Sequence, residues 1–240
     1  MPATLGSNFA KRRLALTGAA AGSGVLITGC ATPSAPPIAT PATVSPPRVQ
    51  KGDRWSYEDI NQYNRLPVGR HSVQVTQDQG AIVLERRTGE AQLSREEYTR
   101  AWDVLWEPTY DTLQRFEQPV ALIPAQLVPG SRFSSSGYYR TDLVSQRLFW
   151  SEVGRVIGWQ RITVPAGTFD AALIERRISF NHSDYARGSS RRVDRIWYAP
   201  SVNRWVQREW TGEFLWGNRP RSPGREDWVL SRLTQYQPAA

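Results

Sequence analysis

The chain has 240 residues, 40% of them hydrophobic, a formal net charge of +8 and a single cysteine. That length suffices for one domain-sized core, and one cysteine excludes an intrachain disulfide framework. The basic balance favours anionic partners such as phospholipid headgroups or acidic polysaccharide.

Met1 to Gly29 contains no acidic residue, carries its only charges at Lys11, Arg12 and Arg13, and runs apolar and small from Leu14 to Gly29. This is the layout of a secretory signal peptide. The run falls short of the roughly 20 residues a membrane-spanning helix needs, and Gly18, Gly22 and Gly24 weaken it further as a helix. Residues 1–29 therefore read as a segment that is cut off.

Ile27-Thr28-Gly29-Cys30 resembles the lipobox of bacterial lipoproteins, a branched apolar residue followed by two small ones and a cysteine. The resemblance implies a diacylglyceryl group on the Cys30 thiol, cleavage after Gly29, and an acylated N-terminus bearing a palmitate-type chain. The chemistry agrees, since small residues let a peptidase reach the backbone and a thiolate is readily alkylated. Arg12-Arg13 is similar to a twin-arginine export signal, but Leu14-Ala15-Leu16 fits that pattern only loosely, so Sec and Tat both stay open. Ala31 stands where enteric bacteria place Asp to retain a lipoprotein at the inner membrane. The implied address is the outer membrane, facing the periplasm, where a chain of net charge +5 without its leader meets no nucleic acid.

Ala31 to Gln50 holds prolines at 33, 36, 37, 41, 46 and 47. Proline fixes φ and lacks a donor, so residues 30–50 read as a lipid-anchored extended tether that does not pack. At about 3.1 Å per residue it would reach roughly 60 Å from the bilayer.

Residues 51–236 read as one β-rich domain followed by a short tail, 237–240. Ala172, Ile174, Ile178 and Phe180 share one parity while Glu175, Arg177 and Ser179 take the other, which marks a strand with one face in a core. Val73 and Val75, Trp55 and Tyr57, and Trp228 and Leu230 repeat the pattern, with turn residues at Gly89, Gly154, Pro165-Ala166-Gly167 and Gly217. The expected fold is mainly β: antiparallel meanders forming a curved sheet or incomplete barrel. Residues 95–106 are ambiguous. Ser94 to Glu97 has capping-box spacing, yet Trp102, Val104 and Trp106 also alternate as a strand, which is the preferred reading.

Two stretches repeat landmarks in one order. Gly52-Asp53-Arg54-Trp55-Ser56 is answered by Gly130-Ser131-Arg132-Phe133-Ser134, Leu84-Glu85-Arg86-Arg87 by Ile174-Glu175-Arg176-Arg177, and Asp103-Val104-Leu105-Trp106 by Asp194-Arg195-Ile196-Trp197. The register points to two duplicated halves. The G-D-x-W-x-Y opening at Gly52 to Tyr57, the V-P-A-G-x-F turn at Val164 to Phe169 and the W-Y-A-P strand end at Trp197 to Pro200 resemble an uncharacterised family of bacterial envelope proteins. The resemblance implies a mainly antiparallel β domain. A glycine is expected where Asn203 stands, and asparagine also tolerates left-handed backbone.

Chemistry-bearing motifs are sparse. His71 and His182 are the only histidines and have no Cys or His nearby, so neither a metal nor a cofactor is expected. The adjacent carboxylates Glu58-Asp59 and Glu96-Glu97 point to opposite faces of a strand and cannot flank one bond. Ten tryptophans offer either a filled core or a concave apolar face. Arg204-Trp205 and similar pairs are expected on opposite faces. Two stretches, Asn181 to Arg192 and Gly217 to Arg225, read as basic flexible loops. The leading function is a non-catalytic, membrane-anchored lipoprotein that binds or carries an apolar or amphipathic envelope ligand, lipid or glycan. A scaffold for an envelope protein complex is the alternative, and a hydrolase dependent on His71 or His182 the third.

Cys30→Ser is expected to abolish both cleavage after Gly29 and incorporation of radiolabelled palmitate, and to release the protein from the membrane fraction.

Overall fold

The computed structural model describes residues 35–89, 92–109, 112–217 and 219–239. The leader and Cys30 lie outside the described residues. The strands are β1 (Pro37–Ile38), β2 (Arg54–Asn61), β3 (Pro67–Gln77), β4 (Ile82–Thr88), β5 (Gln92–Tyr98), β6 (Val104–Thr109), β7 (Thr112–Val120), β8 (Arg132–Arg140), β9 (Leu148–Val164), β10 (Gly167–Asn181), β11 (Arg187–Ala199), β12 (Arg204–Trp216), β13 (Arg219–Arg225) and β14 (Val229–Gln237). Among the described residues the one helical element is a single 3-10 turn, Pro200–Val202.

Strands β2 to β12 pair antiparallel in sequence order, β14 passes over β13 to pair with β12, and β14 returns to β2. Twelve strands thus close into a barrel, with β1 laid on β9 and β13 on β12. Closure goes one step past the curved sheet or incomplete barrel expected from the sequence, and it removes the free edges on which such a sheet would aggregate.

Alternation decides what faces inward. Trp55 and Tyr57 of β2, Val73 and Val75 of β3, Ile82 and Leu84 of β4, Trp150 and Val156 of β9, and Ile174 and Ile178 of β10 are all buried in one core. Burying each contributes about 1.5–3 kcal/mol relative to exposure. Residues 95–106 settle as strand, interrupted by a turn in which Thr99 Oγ1 meets Asp103 Oδ2 at 2.9 Å. Trp102 sits in that turn, buried, so Trp102, Val104 and Trp106 do not share one strand face as expected.

The two halves match in geometry. Gly52 and Gly130 both take positive φ, +106° and +87°, each donating its N–H to a valine carbonyl, Val75 at 2.9 Å and Val156 at 2.8 Å. Each valine returns the bond, Val75 to Asp53 O and Val156 to Ser131 O. Leu84 then pairs with Val75, and Ile174 with Val156. The third landmark does not correspond: Asp103 to Trp106 runs into β6, the fifth strand of its half, whereas Asp194 to Trp197 lies in β11, the fourth strand of the other. Position 203 behaves as expected, with Asn203 at φ 56°, and Trp102, just before β6 as Asn203 is just before β12, is also left-handed at φ 67°.

The proline-rich stretch corrects an expectation. From residue 35 it lies along the barrel: Pro37 and Ile38 pair with Gln160 and Trp159, Val49 is 3% exposed, and Ile38 and Val44 pack on the core. Arg48 N donates to Asn203 Oδ1 at 3.1 Å and Asn203 Nδ2 returns a bond to Arg48 O at 3.2 Å. Proline blocks donation but leaves carbonyls free, and Pro36 O accepts from Arg161 N at 3.2 Å. The expected basic loops are also shorter than read, because β11 begins at Arg187 and β13 spans most of the second stretch.

Inside the barrel Phe133 covers Gly154 on the neighbouring strand, where an added Cβ would lie 2.1 Å from the ring. Gly154→Ala is expected to destabilise by about 1–3 kcal/mol through overpacking. Combined with Phe133→Ala, the loss in urea unfolding should fall below the sum of the single changes.

Candidate functional site

At the start of β12 the register shifts: Trp197 pairs with Gln207 but Tyr198 with Trp205, so Val206 is an extra residue. Such a bulge breaks strict alternation, and Arg204, Trp205 and Val206 are buried together. The sequence expectation that Arg204 and Trp205 face opposite ways is thereby overturned. The Arg204 guanidinium carbon lies 3.7 Å from the Trp205 ring centroid, 5.0 Å from Trp102, 5.5 Å from Trp55 and 5.7 Å from Tyr98. Its Nη2 donates to Glu96 Oε2 at 2.8 Å.

A line of alternating charge runs from this cage across the interior. The Tyr98 hydroxyl stands 3.0 Å from Glu96 and 3.2 Å from Glu107. Arg208 joins Glu107 to Asp194, reaching the latter at 2.8 Å, and Arg176 joins Asp194 at 2.9 Å to Glu152 at 3.1 Å. On the other side Arg86 stands 3.5 Å from Glu96 and 4.0 Å from Asp59, which meets His71 Nδ1 at 2.8 Å.

Burial would raise the Glu96 carboxyl, but the Arg204 and Arg86 guanidiniums overcome it and hold the group down at about 2. Asp194 is likewise held well below the carboxylate range by Arg208, Arg192 and Arg176 against the effect of burial. At the end of the line burial wins, and Glu152 is raised despite Arg176. Burial also lowers the His71 imidazole, although Asp59 pulls it the other way.

These charges escaped the sequence reading, yet one signal was present: Arg176 has the parity of Ile174 and Ile178, which marks a buried cation needing partners. The paired carboxylates behave as strand geometry requires. Glu96 is inside and Glu97 meets Arg95 outside, while Asp59 is inside and Glu58 meets Arg232 outside. The two histidines are not brought together. His71 is on β3, stacked on Tyr57, and His182 is in the β10–β11 turn, where its Nδ1 accepts from Asp184 N at 2.8 Å.

Trp55, Trp102, Trp150, Trp159, Trp197 and Trp205 are 8% exposed or less. All six belong to one packed core cluster, so the concave tryptophan face considered from sequence gives way to a packed core. Ligand-sized spaces lie outside it. A groove of about 650 Å³ crosses β9 to β12, with Val153, Arg177, Arg191, Val193, Thr211 and Arg225 lining it and Tyr63 as a wall. Those side chains alternate with the buried Glu152, Ile178 and Arg192, which places the groove on the outer face. A cleft of about 790 Å³ separates residues 41–45 from the β9–β10 hairpin, where Arg161 and Asp170 form a paired contact at 2.7 and 3.0 Å. Beside the groove an outer row of ion pairs runs Arg155, Glu175, Arg195, Glu209 across four strands, with separations from 3.2 to 3.7 Å.

No family model and no curated protein matches the chain, so the family resemblance rests on its motifs alone. Two solved structures are similar to it. One is a candidate lipoprotein from Parabacteroides distasonis, 14% identical with a TM-score of 0.47, covering 78% of this chain and 96% of that one. The other is a candidate exported protein with a YmcC-like fold from Bacteroides fragilis, 9% identical with a TM-score of 0.40, covering 79% and 97%.

Because folding holds Glu96 below its ordinary 4.5, its contribution to stability is full above that pH and is lost as pH falls toward 2. Glu96→Gln, which leaves the buried Arg204 without a counter-charge, is expected to cost about 3–5 kcal/mol at neutral pH. The variant should also show a shallower loss of urea stability on acidification than the parent.

Proposed function

We propose that this chain is a non-catalytic lipoprotein of the cell envelope, anchored through acylated Cys30 at the outer membrane and facing the periplasm. Its barrel binds an apolar or amphipathic envelope ligand in the outer groove, outside the lumen. The leader and the Ile27 to Cys30 motif support the address. The outer ion-pair row supports a barrel that stands in water, because a membrane barrel carries an apolar band there. Residues 35–50 are seated on the barrel and so do not serve as the extended tether expected from the sequence.

A non-catalytic role is supported by the state of His71, whose Nδ1 is taken by Asp59 and whose ring is stacked on Tyr57. His182 stands apart in its own turn. The observation that carries ligand binding is the groove itself: its volume of about 650 Å³ falls within the range of small-molecule sites, and it sets Val153, Val193 and Tyr63 beside arginines.

Photocrosslinking in cells with a diazirine-bearing fatty acid tests this. Adducts are expected on peptides containing Val153, Val193 or Tyr63, and Val193→Asp should reduce them about fivefold or more with an unchanged melting temperature. Adducts confined to other surfaces, or none, would refute groove binding.

A further inference from the structure

Resting on that reading, we propose that the groove selects a single-chain amphiphile with an anionic head, held by Arg191 and Arg225 while its alkyl chain lies on Val153 and Val193. The argument starts from how this face treats its other cations. The other outward arginines of β9 to β11 each stand within ion-pair distance of a carboxylate: Arg155, Arg177 and Arg195 of Glu175, Arg195 also of Glu209, and Arg161 of Asp170. Arg191 departs from that pattern. It stands opposite Glu213 across the β11–β12 ladder, and Arg225 of β13 stands opposite the same Glu213 from the other side. One carboxylate thus faces two guanidiniums, and among the described residues neither arginine closes an ion pair. The resulting excess of positive charge lies inside the groove.

Charge and shape then select the occupant together. Two guanidinium forks offer convergent donors to the oxygens of a phosphate or carboxylate head. The adjoining Val153 and Val193 offer hydrocarbon, which suits an alkyl chain and not the hydroxyl-rich surface of a glycan. Val193 is only half exposed, on the floor of the groove, so a single inserted chain reaches it and a flat bilayer surface does not.

The test uses the full acylated protein in phosphatidylcholine nanodiscs, titrated calorimetrically below micelle-forming concentrations against empty nanodiscs. Three probes are compared: dodecyl phosphate, dodecyl maltoside and inorganic phosphate. Dodecyl phosphate is expected to bind about tenfold or more tightly than the maltoside. The Arg191→Gln/Arg225→Gln variant, both positions being surface-exposed, should erase that preference while keeping the maltoside affinity and the melting temperature. Equal binding of the two dodecyl probes would overturn charge selection and leave the groove reading intact. Inorganic phosphate binding as tightly as dodecyl phosphate would make this an ion site and overturn the amphiphile. Binding of none of the three would overturn both this inference and the reading it rests on.

Discussion

The burial of one cation, Arg204, organises this barrel. A guanidinium removed from water is tolerated only with a counter-charge and polarizable surroundings, and here Glu96 and four aromatic rings supply them. The partners come from both halves of the ring: Trp55, Glu96 and Tyr98 from β2 and β5 and Trp102 from the β5–β6 turn in the first, Arg204 and Trp205 from β12 in the second. Trp102 adds a further stitch, its indole N–H donating to Asn203 O at 2.9 Å. The two left-handed corners of the pseudo-symmetric halves are therefore tied to each other.

That cross-link matters because the ring has thin seams. Among the described residues β5 and β6 share only the pairs Glu97 with Trp106 and Tyr98 with Val104, and β7 and β8 only Arg115 with Arg140 and Phe116 with Tyr139. Backbone ladders this short hold weakly, so side chains must carry the closure. Tyr98 spans the β5–β6 seam to Glu107, and Arg208 of β12 meets Glu107 from across the interior. The remaining charges, Asp194, Arg176 and Glu152, extend the same logic along β9 to β12, each satisfying the one before it. The line is continuous without being saturated: Glu152 Oε1 and Arg204 Nε are buried without a hydrogen-bond partner, and at Arg204 the Trp102 and Trp205 rings stand in for acceptors.

A lumen filled by tryptophan and crossed by ion pairs offers no room for a carried chain. On the outer surface the long strands β9 to β12 present a groove, and residues 35–50 lie along the barrel. The core's rigidity and the surface's role are linked: a sheet held from inside can keep outward arginines such as Arg191 and Arg225 in fixed register beside apolar neighbours.

Much of this was legible from residue order. Local rules predict the parity of Ile174 and Ile178, the turn at Pro165 to Gly167 with Gly167 at φ +137°, the strand end at Pro200, and the left-handed Asn203. Two of three repeat landmarks also marked equivalent strands. The lipobox motif around Cys30 is likewise a matter of sequence alone. Three outcomes were not legible, because each depends on residues distant in the chain. Ring closure needs β14 to meet β2; the burial of Arg204 together with its neighbour Trp205 needs a register shift against β11; the seating of residues 35–50 needs carbonyls that only a folded β9 can meet. Sequence periodicity reports which face a side chain takes relative to its neighbours, so it determined the strands and turns of this protein. Where a charge finds its partner is a question of non-local geometry, and only the tertiary structure could place Glu96 beside Arg204 and leave Arg191 and Arg225 facing outward together.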